Sequence, residues 1–331
     1  MNSYVEAVPP AKPTAEDKSK RKASDSQIIR KLPDLVRAAL NRDQSQFVSL
    51  SHEILDTTEK AHPLVHAKLQ RILKYHNPAI AVTPLAPNLA TLTPPTVTLD
   101  DVMLDDELMV EVQELLVEHH RQEALEAFGL APRHKILLYG PPGNGKTMLA
   151  EALAHALDLP FMDVKHSGLI SSHMGETGKK IDEVFAFAAS RPVVMFIDEF
   201  DSVASVRGGN SMDVGEVARF TNQLLIAMNH FPTHSILIVA TNKLDSIDKA
   251  ARRRFDCEMN LSKPSLTTRE KLARKELAAE LTPGVDLSNW VSEVASLELE
   301  NLNDVALLCR RIRRDQALYQ GQGIQNIISK A

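Results

Sequence analysis

Apolar and polar positions divide the chain into stretches of different rhythm. Residues 1–27 are polar and charged, with Pro9, Pro10 and Pro13 and a cluster of Lys18, Lys20, Arg21 and Lys22. A segment so poor in apolar side chains cannot offset its ordering entropy, so it reads as a solvated, disordered tail. Over 28–76 the rhythm becomes helical. Leu32, Leu35, Val36, Ala39 and Leu40 form one set, Phe47, Leu50, Ile54 and Leu55 a second, and Leu64, Leu69, Ile72 and Leu73 a third. This spacing predicts two or three short amphipathic helices, either a small adaptor domain or a helical appendage. Residues 77–96 hold Pro78, Pro84, Pro87, Pro94 and Pro95, which disfavour helix and predict an extended linker.

From residue 97 short apolar runs alternate with helical patterns. The runs 136–139, 193–197 and 236–240 have the composition of buried strands. Between them, 148–157 and the set Ile181, Val184, Phe185 and Ala188 follow a helical period, as do Val217, Phe220, Leu224 and Met228. The alternation predicts a parallel sheet with helices on both faces over 97–263. After Pro264 no strand pattern remains. Thr267-x-x-Glu270 has the form of a capping box opening a helix, and 290–294 and 304–312 are further helical stretches. Residues 264–331 therefore read as a small helical lid.

Composition narrows the picture. A chain of 331 residues with 44% hydrophobic content can bury a sizeable core. Its net charge of -5 makes nucleic acid an unlikely partner for the whole chain, although a local basic patch is compatible with it. Cys257 and Cys309 are the only cysteines and have no metal-binding spacing, which suits a reducing compartment. The N-terminal residues lack the apolar segment of a secretory signal, and the longest apolar runs are too short to span a bilayer. A cytoplasmic location without membrane contact is expected.

The chemistry is concentrated at three strand ends. The run 136–139 leads into Gly140-Pro141-Pro142-Gly143-Asn144-Gly145-Lys146-Thr147, after which a helix begins with Met148. This is G-x-x-x-x-G-K-T in a strand–loop–helix setting, a loop whose backbone N–H groups close on phosphates at a helix N-terminus. Lys146 is expected to reach the β- and γ-phosphates of ATP, and the Thr147 hydroxyl to ligate Mg²⁺. The run 193–197 ends in Asp198-Glu199. Beside a phosphate loop, Asp198 is expected to hold the Mg²⁺ water shell and Glu199 to polarise the attacking water. The run 236–240 ends in Thr241-Asn242, where the amide of Asn242 is placed to sense a γ-phosphate or position water. Asp248-Lys249-Ala250-Ala251-Arg252-Arg253-Arg254-Phe255 follows. Its arginines are either a solvated basic face or a source of arginine fingers for a neighbouring subunit. The fold class is thus α/β: a P-loop parallel sheet with helices on both faces, a small C-terminal helical lid and an N-terminal helical domain.

In order and spacing, the phosphate loop, the acid pair, Ala240-Thr241-Asn242 and Ala250-Ala251-x-Arg253-Arg254-Phe255 resemble the AAA family of ATPases. The resemblance runs from about Val97 to the C-terminus and is nearest the katanin, spastin and Vps4 type. It implies an ATP hydrolase that forms hexameric rings and unfolds or disassembles proteins by drawing a segment through a central pore. By this resemblance Arg253 and Arg254 are the finger candidates, acting in trans. His173 and Met174 stand where the family's first pore loop carries an aromatic–hydrophobic pair, and Arg207-Gly208-Gly209-Asn210 resembles the second pore loop. Asp101-Val102-Met103 stands where the family has Asp-Ile-Gly near adenine, so Val102 is expected to contact the base. Leu302-Asn303 replaces a frequent Gly-Ala pair of the lid.

The chain also resembles bacterial AAA ATPases encoded beside subtilisin-like serine proteases, which implies such a protease as a partner. The expected function is ATP-driven remodelling of a protein substrate. The alternatives are a nucleic-acid-directed loader and a nucleotide-gated scaffold with slow turnover.

Overall fold

A computed structural model describes residues 28–38, 44–58, 62, 65–66, 85–169, 176–200 and 223–331. The chain divides into two units, Met1–Val82 and Thr83–Ala331. In the first unit, helices α1 (28–38) and α2 (Gln44–Thr58) agree with the predicted periodicity. Ala38 and Ile54 are buried, and Lys31 pairs with Glu53 at 2.6 Å. Ile29, Leu32 and Val36 remain exposed on α1. The tail 1–27 lies outside the described residues.

The second unit is built on six strands: β1 (Ala90–Thr93), β2 (Lys135–Tyr139), β3 (Phe161–Val164), β4 (Val194–Ile197), β5 (Ile236–Thr241) and β6 (Cys257–Asn260). Their order across the sheet is β1-β3-β4-β5-β2-β6. All pairings are parallel except β1 with β3, where Ala90 faces Val164 and Thr93 faces Phe161. Every residue of β4 and β5 is buried, as expected of central parallel strands covered on both faces. Helices α3 (Asp106–His120) and α4 (Lys146–Ala156) cover one face, packing Leu108, Val112, Leu149 and Leu153 onto Ile136, Leu138, Phe196 and Ile238. Because strand side chains alternate, Leu137, Met195 and Leu237 point to the other face. Helix α5 (Glu176–Ser190) buries Ile181, Val184 and Ala188, and residues 223–229 add a helical turn with Leu224 and Met228 buried. Val217 and Phe220 lie outside the described residues.

Strand β1 falls in the stretch expected as an extended linker. It is extended, and it is also paired. Leu89 is 2% exposed, and its carbonyl accepts from Lys165 N–H at 2.8 Å. Lys165 Nζ donates to Pro87 O at 3.1 Å. The backbone of Asn88 and Leu89 lies so close to Gly168 that a Cβ there has no room.

Past β6 the chain is helical. Helix α6 (Lys249–Arg252) precedes β6, and α7 (Leu266–Glu276) and α8 (Leu302–Tyr319) form the lid with the shorter Val291–Ser296 and Ile324–Ser329. The lid core is its own, with Ala273, Val294, Val305, Cys309 and Ile312 nearly or fully buried. Burial pushes both thiols, Cys257 and Cys309, up to about 12, so neither is a thiolate at neutral pH. The capping of α7 differs from expectation. Ser265, two residues before Thr267, is the N-cap and accepts from Thr268 N–H at 3.2 Å. Glu270 pairs with Arg274 at 2.6 Å instead of reaching back to the helix start. Both Ser265 and Thr267 are good caps by type. The one that also meets Asp105 of the body, at 2.6 Å, takes the position.

Candidate functional site

The phosphate loop joins the C-terminal end of β2 to α4, whose first residue is Lys146. Gly140 has φ +141, and a Cβ there would run into the carbonyl of Leu261, so only glycine fits. Gly143 and Gly145 both have φ +84, which curls the loop. Pro141 and Pro142 stiffen its outer side. Met148, in the first turn of α4, is 43% exposed.

Lys146 is 7% exposed. Its ammonium donates to Gly140 O at 2.8 Å, to Pro141 O at 2.9 Å and to Asn242 Oδ1 at 2.8 Å. The third contact spans 96 residues and brings the end of β5 onto the phosphate loop. Thr147 Oγ1 donates to Asp198 Oδ2 at 3.3 Å, which brings in the end of β4. Four residues from three strand ends therefore meet as expected. Hydroxyl and carboxylate oxygens are the ligands a hard cation takes, so Thr147 and Asp198 fit Mg²⁺.

Glu199 is exposed, and its backbone has φ +51. A non-glycine residue in this region carries strain of about 1–3 kcal/mol and marks a functional position more often than chance. Its N–H donates to Asp198 Oδ1 at 2.7 Å. One acid was not anticipated. Asp163 of β3 is held above the usual carboxylate range by burial and by the Asp198 charge. The signal in the sequence was a carboxylate inside the apolar run Phe161-Met162-Asp163-Val164.

The arginines separate. Arg252 forms a two-point pair with Glu258 of β6, Nε to Oε1 at 2.9 Å and Nη2 to Oε2 at 2.5 Å. That hydrogen bonding raises the guanidinium pKa further. Arg254 is half-buried and donates to Leu225 O at 3.3 Å and Ala250 O at 3.1 Å. Arg253 is exposed, and among the described residues its side chain makes no hydrogen bond or ion pair.

Val102 is 5% exposed and packs into the body core. Its neighbour Met103 lines a small cavity with Leu104, Asn144, Leu261 and Leu302, between loop and lid. His173, Met174 and the stretch 207–210 lie outside the described residues. Among the described residues no helix is long and apolar enough to cross a membrane.

Comparison with known proteins agrees with this arrangement. The pattern of the AAA family (ATPase family associated with various cellular activities) matches residues 136–263, from β2 through β6. An uncharacterised AAA family ATPase, y4kL, of Sinorhizobium fredii is 35% identical over 231 residues, covering 66% of this chain and 69% of that protein. Proteasome-activating nucleotidase 2 of Haloferax volcanii is 39% identical over 185 residues, 54% of this chain and 45% of that protein. An ATP-dependent zinc metalloprotease FtsH of Malacoplasma penetrans is 34% identical over 241 residues, 70% of this chain and 29% of that protein. With the loop, the acid pair and the strand order all in place, the chain belongs to the AAA family, and ATP hydrolysis is its chemistry.

Proposed function

We propose that this ATPase remodels protein substrates as a ring whose catalytic sites lie between subunits. The observation that carries the reading is the contrast within Arg252-Arg253-Arg254. A nucleotide site built from β2, β4 and β5 is followed by an exposed arginine whose side chain has no partner among the described residues. In one subunit the phosphate loop takes ATP, and Lys146 exchanges its bonds to Gly140 O and Pro141 O for phosphate oxygens. Thr147 and Asp198 would hold Mg²⁺, which would supply charge neutralisation at the phosphates. Glu199 accepts a proton from a water whose oxygen bonds to the γ-phosphorus as the bond to the β–γ bridging oxygen breaks. Asn242 orients that water or the γ-phosphate, and Arg253 of the next subunit, with Arg254, stabilises the transferring phosphoryl group. Relatives named as a proteasome-activating nucleotidase and an FtsH protease support coupling to protein unfolding. His173 and Met174 are assigned to the pore.

The unit 28–76 is assigned to recruitment of the substrate or of a partner such as a subtilisin-like protease. The exposed Ile29, Leu32 and Val36 of α1 support this. The test is ATPase rate per subunit against protein concentration for the wild type, Arg253→Ala and Arg254→Ala. A rate that rises with concentration and collapses in Arg253→Ala supports the shared site. A flat rate that survives both substitutions refutes it. Stimulation by an unfolded protein, and none by DNA, separates remodelling from a nucleic-acid-directed role.

A further inference from the structure

The side chain of Asn144 sits in the middle of the phosphate loop but is turned into the protein, 2% exposed. Its Nδ2 donates to Leu261 O at 3.2 Å and to Ser262 O at 2.7 Å, and its Oδ1 accepts from Leu302 N–H at 2.9 Å. Both amide hydrogens and the carbonyl are thereby used, across sequence separations of 117, 118 and 158 residues. The three partners have a common theme. Leu261 and Ser262 are where the chain leaves β6 for the lid, and Leu302 is the first residue of lid helix α8.

The start of α8 makes the point sharper. The first N–H groups of any helix lack intrahelical partners. Here Leu302 N–H goes to Asn144, Asn303 N–H goes to Gly143 O at 3.1 Å, and Asp304 N–H goes to the N-cap Asn301 at 2.9 Å. Two of these three groups are satisfied by the phosphate loop itself. The contact is also close in space, since a Cβ on Gly143 would sit 2.9 Å from Asn301 Oδ1 and 3.1 Å from Asn303 Cβ. The loop that receives phosphates is therefore the cap of the lid helix.

We infer that Asn144 is a positioning residue that couples the phosphate loop to the lid. A loop that shifts as Lys146 turns from its own carbonyls to phosphate oxygens drags or breaks two caps of α8 and the two carbonyl contacts at the lid entry. By reciprocity, where the lid sits then sets how well the loop binds nucleotide. The inference rests on the nucleotide site alone, independent of ring assembly, and its test reads binding, not turnover.

Two substitutions separate the contacts. Asn144→Ala removes all three. Asn144→Asp keeps an acceptor for Leu302 N–H but sets a carboxylate oxygen against the carbonyls of Leu261 and Ser262. In the full chain, amide hydrogen exchange over 300–306 is measured with and without a non-hydrolysable ATP analogue, and analogue affinity is measured in parallel. The wild type is expected to change its exchange at 302–304 by at least about fivefold on binding, the lower end of typical couplings. Asn144→Ala is expected to bind the analogue with the Leu302 amide no longer responding, while Asn303, still capped by Gly143 O, keeps a reduced response. Asn144→Asp is expected to keep a response at Leu302 and lose part of it at 303 and 304. Wild-type amides that ignore the analogue, or variants that respond as the wild type does, overturn the inference. Folded variants that no longer bind the analogue make Asn144 a nucleotide ligand and also overturn it. Should Asn144→Ala not fold, Asn144→Asp decides by the same criteria, and failure of both to fold marks a framework residue and ends the proposal.

Discussion

Lys146 and Arg253 are cations on opposite terms with their surroundings. Lys146 is almost fully buried and has oxygen partners from its own loop and from Asn242. Arg253 is exposed, and its side chain bonds to nothing among the described residues. Its neighbour Arg252 is spent on Glu258. A desolvated cation must be held by acceptors wherever it rests, so the Lys146 carbonyls mark a position prepared in advance for its charge. An arginine left in water costs nothing until something negative arrives. One cation is held by its own loop, and the other, on the reading proposed above, serves a site in a neighbouring subunit.

The sharpest way to break this contrast is Arg253→Ala. If Arg253 serves a neighbouring site, turnover falls by about 10³–10⁵ with the thermal midpoint unchanged, measured by steady-state ATPase and calorimetry. Mixing Arg253→Ala with Glu199→Gln subunits then restores some activity, because each supplies what the other lacks. Next is Lys146→Ala, expected to lower turnover by about 10²–10³ at any protein concentration, since the lost contact is internal. A Lys146→Ala protein whose activity returns on raising its concentration would blur the distinction. Smaller is Arg252→Ala, for which a slightly lower thermal midpoint and an unaltered concentration dependence are expected. If Arg252→Ala abolished turnover as Arg253→Ala does, the assignment within the cluster would be wrong.

The mildest perturbation is acid. Burial alone would raise the carboxyl of Asp105, but hydrogen bonds from Ser265 and Thr268 outweigh it and hold it below the usual carboxylate range. Its neighbour Asp101 is lowered too, by the Thr98 backbone and by Lys275 of α7. Groups lowered on folding add stability above their ordinary pKa of 3.8 and lose it as pH falls through the lowered value. Lid contacts through both aspartates should thus hold from neutral pH down to about 4 and loosen below it. Hydrogen exchange in α7 against pH reads this directly, and Asp105→Asn should flatten the dependence.

Much of the site was legible because its chemistry constrains residues that are adjacent in the chain. A loop that must turn back on itself needs glycines at fixed offsets, and a strand buried on both faces shows as an unbroken apolar run. Asp198 and Asn242 sit at the ends of such runs, and Lys146 and Thr147 one loop beyond a third, so the strand order brings them together. What was not legible depends on partners far away in sequence. Nothing next to Asn144 announces Leu302, and the resemblance that sets Arg253 and Arg254 apart from Arg252 does not announce that Arg252 is held by Glu258. Strand β1 was hidden for a different reason. The six residues between Pro87 and Pro94-Pro95, four of them in the strand, carry too weak a pattern to outweigh the prolines, and the pairing is decided by the edge of β3.

That strand also sets where the chain can be shortened. A cut at residue 97, the boundary suggested by the prolines, would keep every residue assigned to ATP. It would also strip the outer rail from β3 and empty the seat of Leu89 beside Gly168. The bare row of N–H and C=O groups would be open to any extended chain, including another cut copy. A cut at residue 85 leaves the rail in place. Solubility of the two shortened proteins would therefore diverge although their catalytic residues are identical.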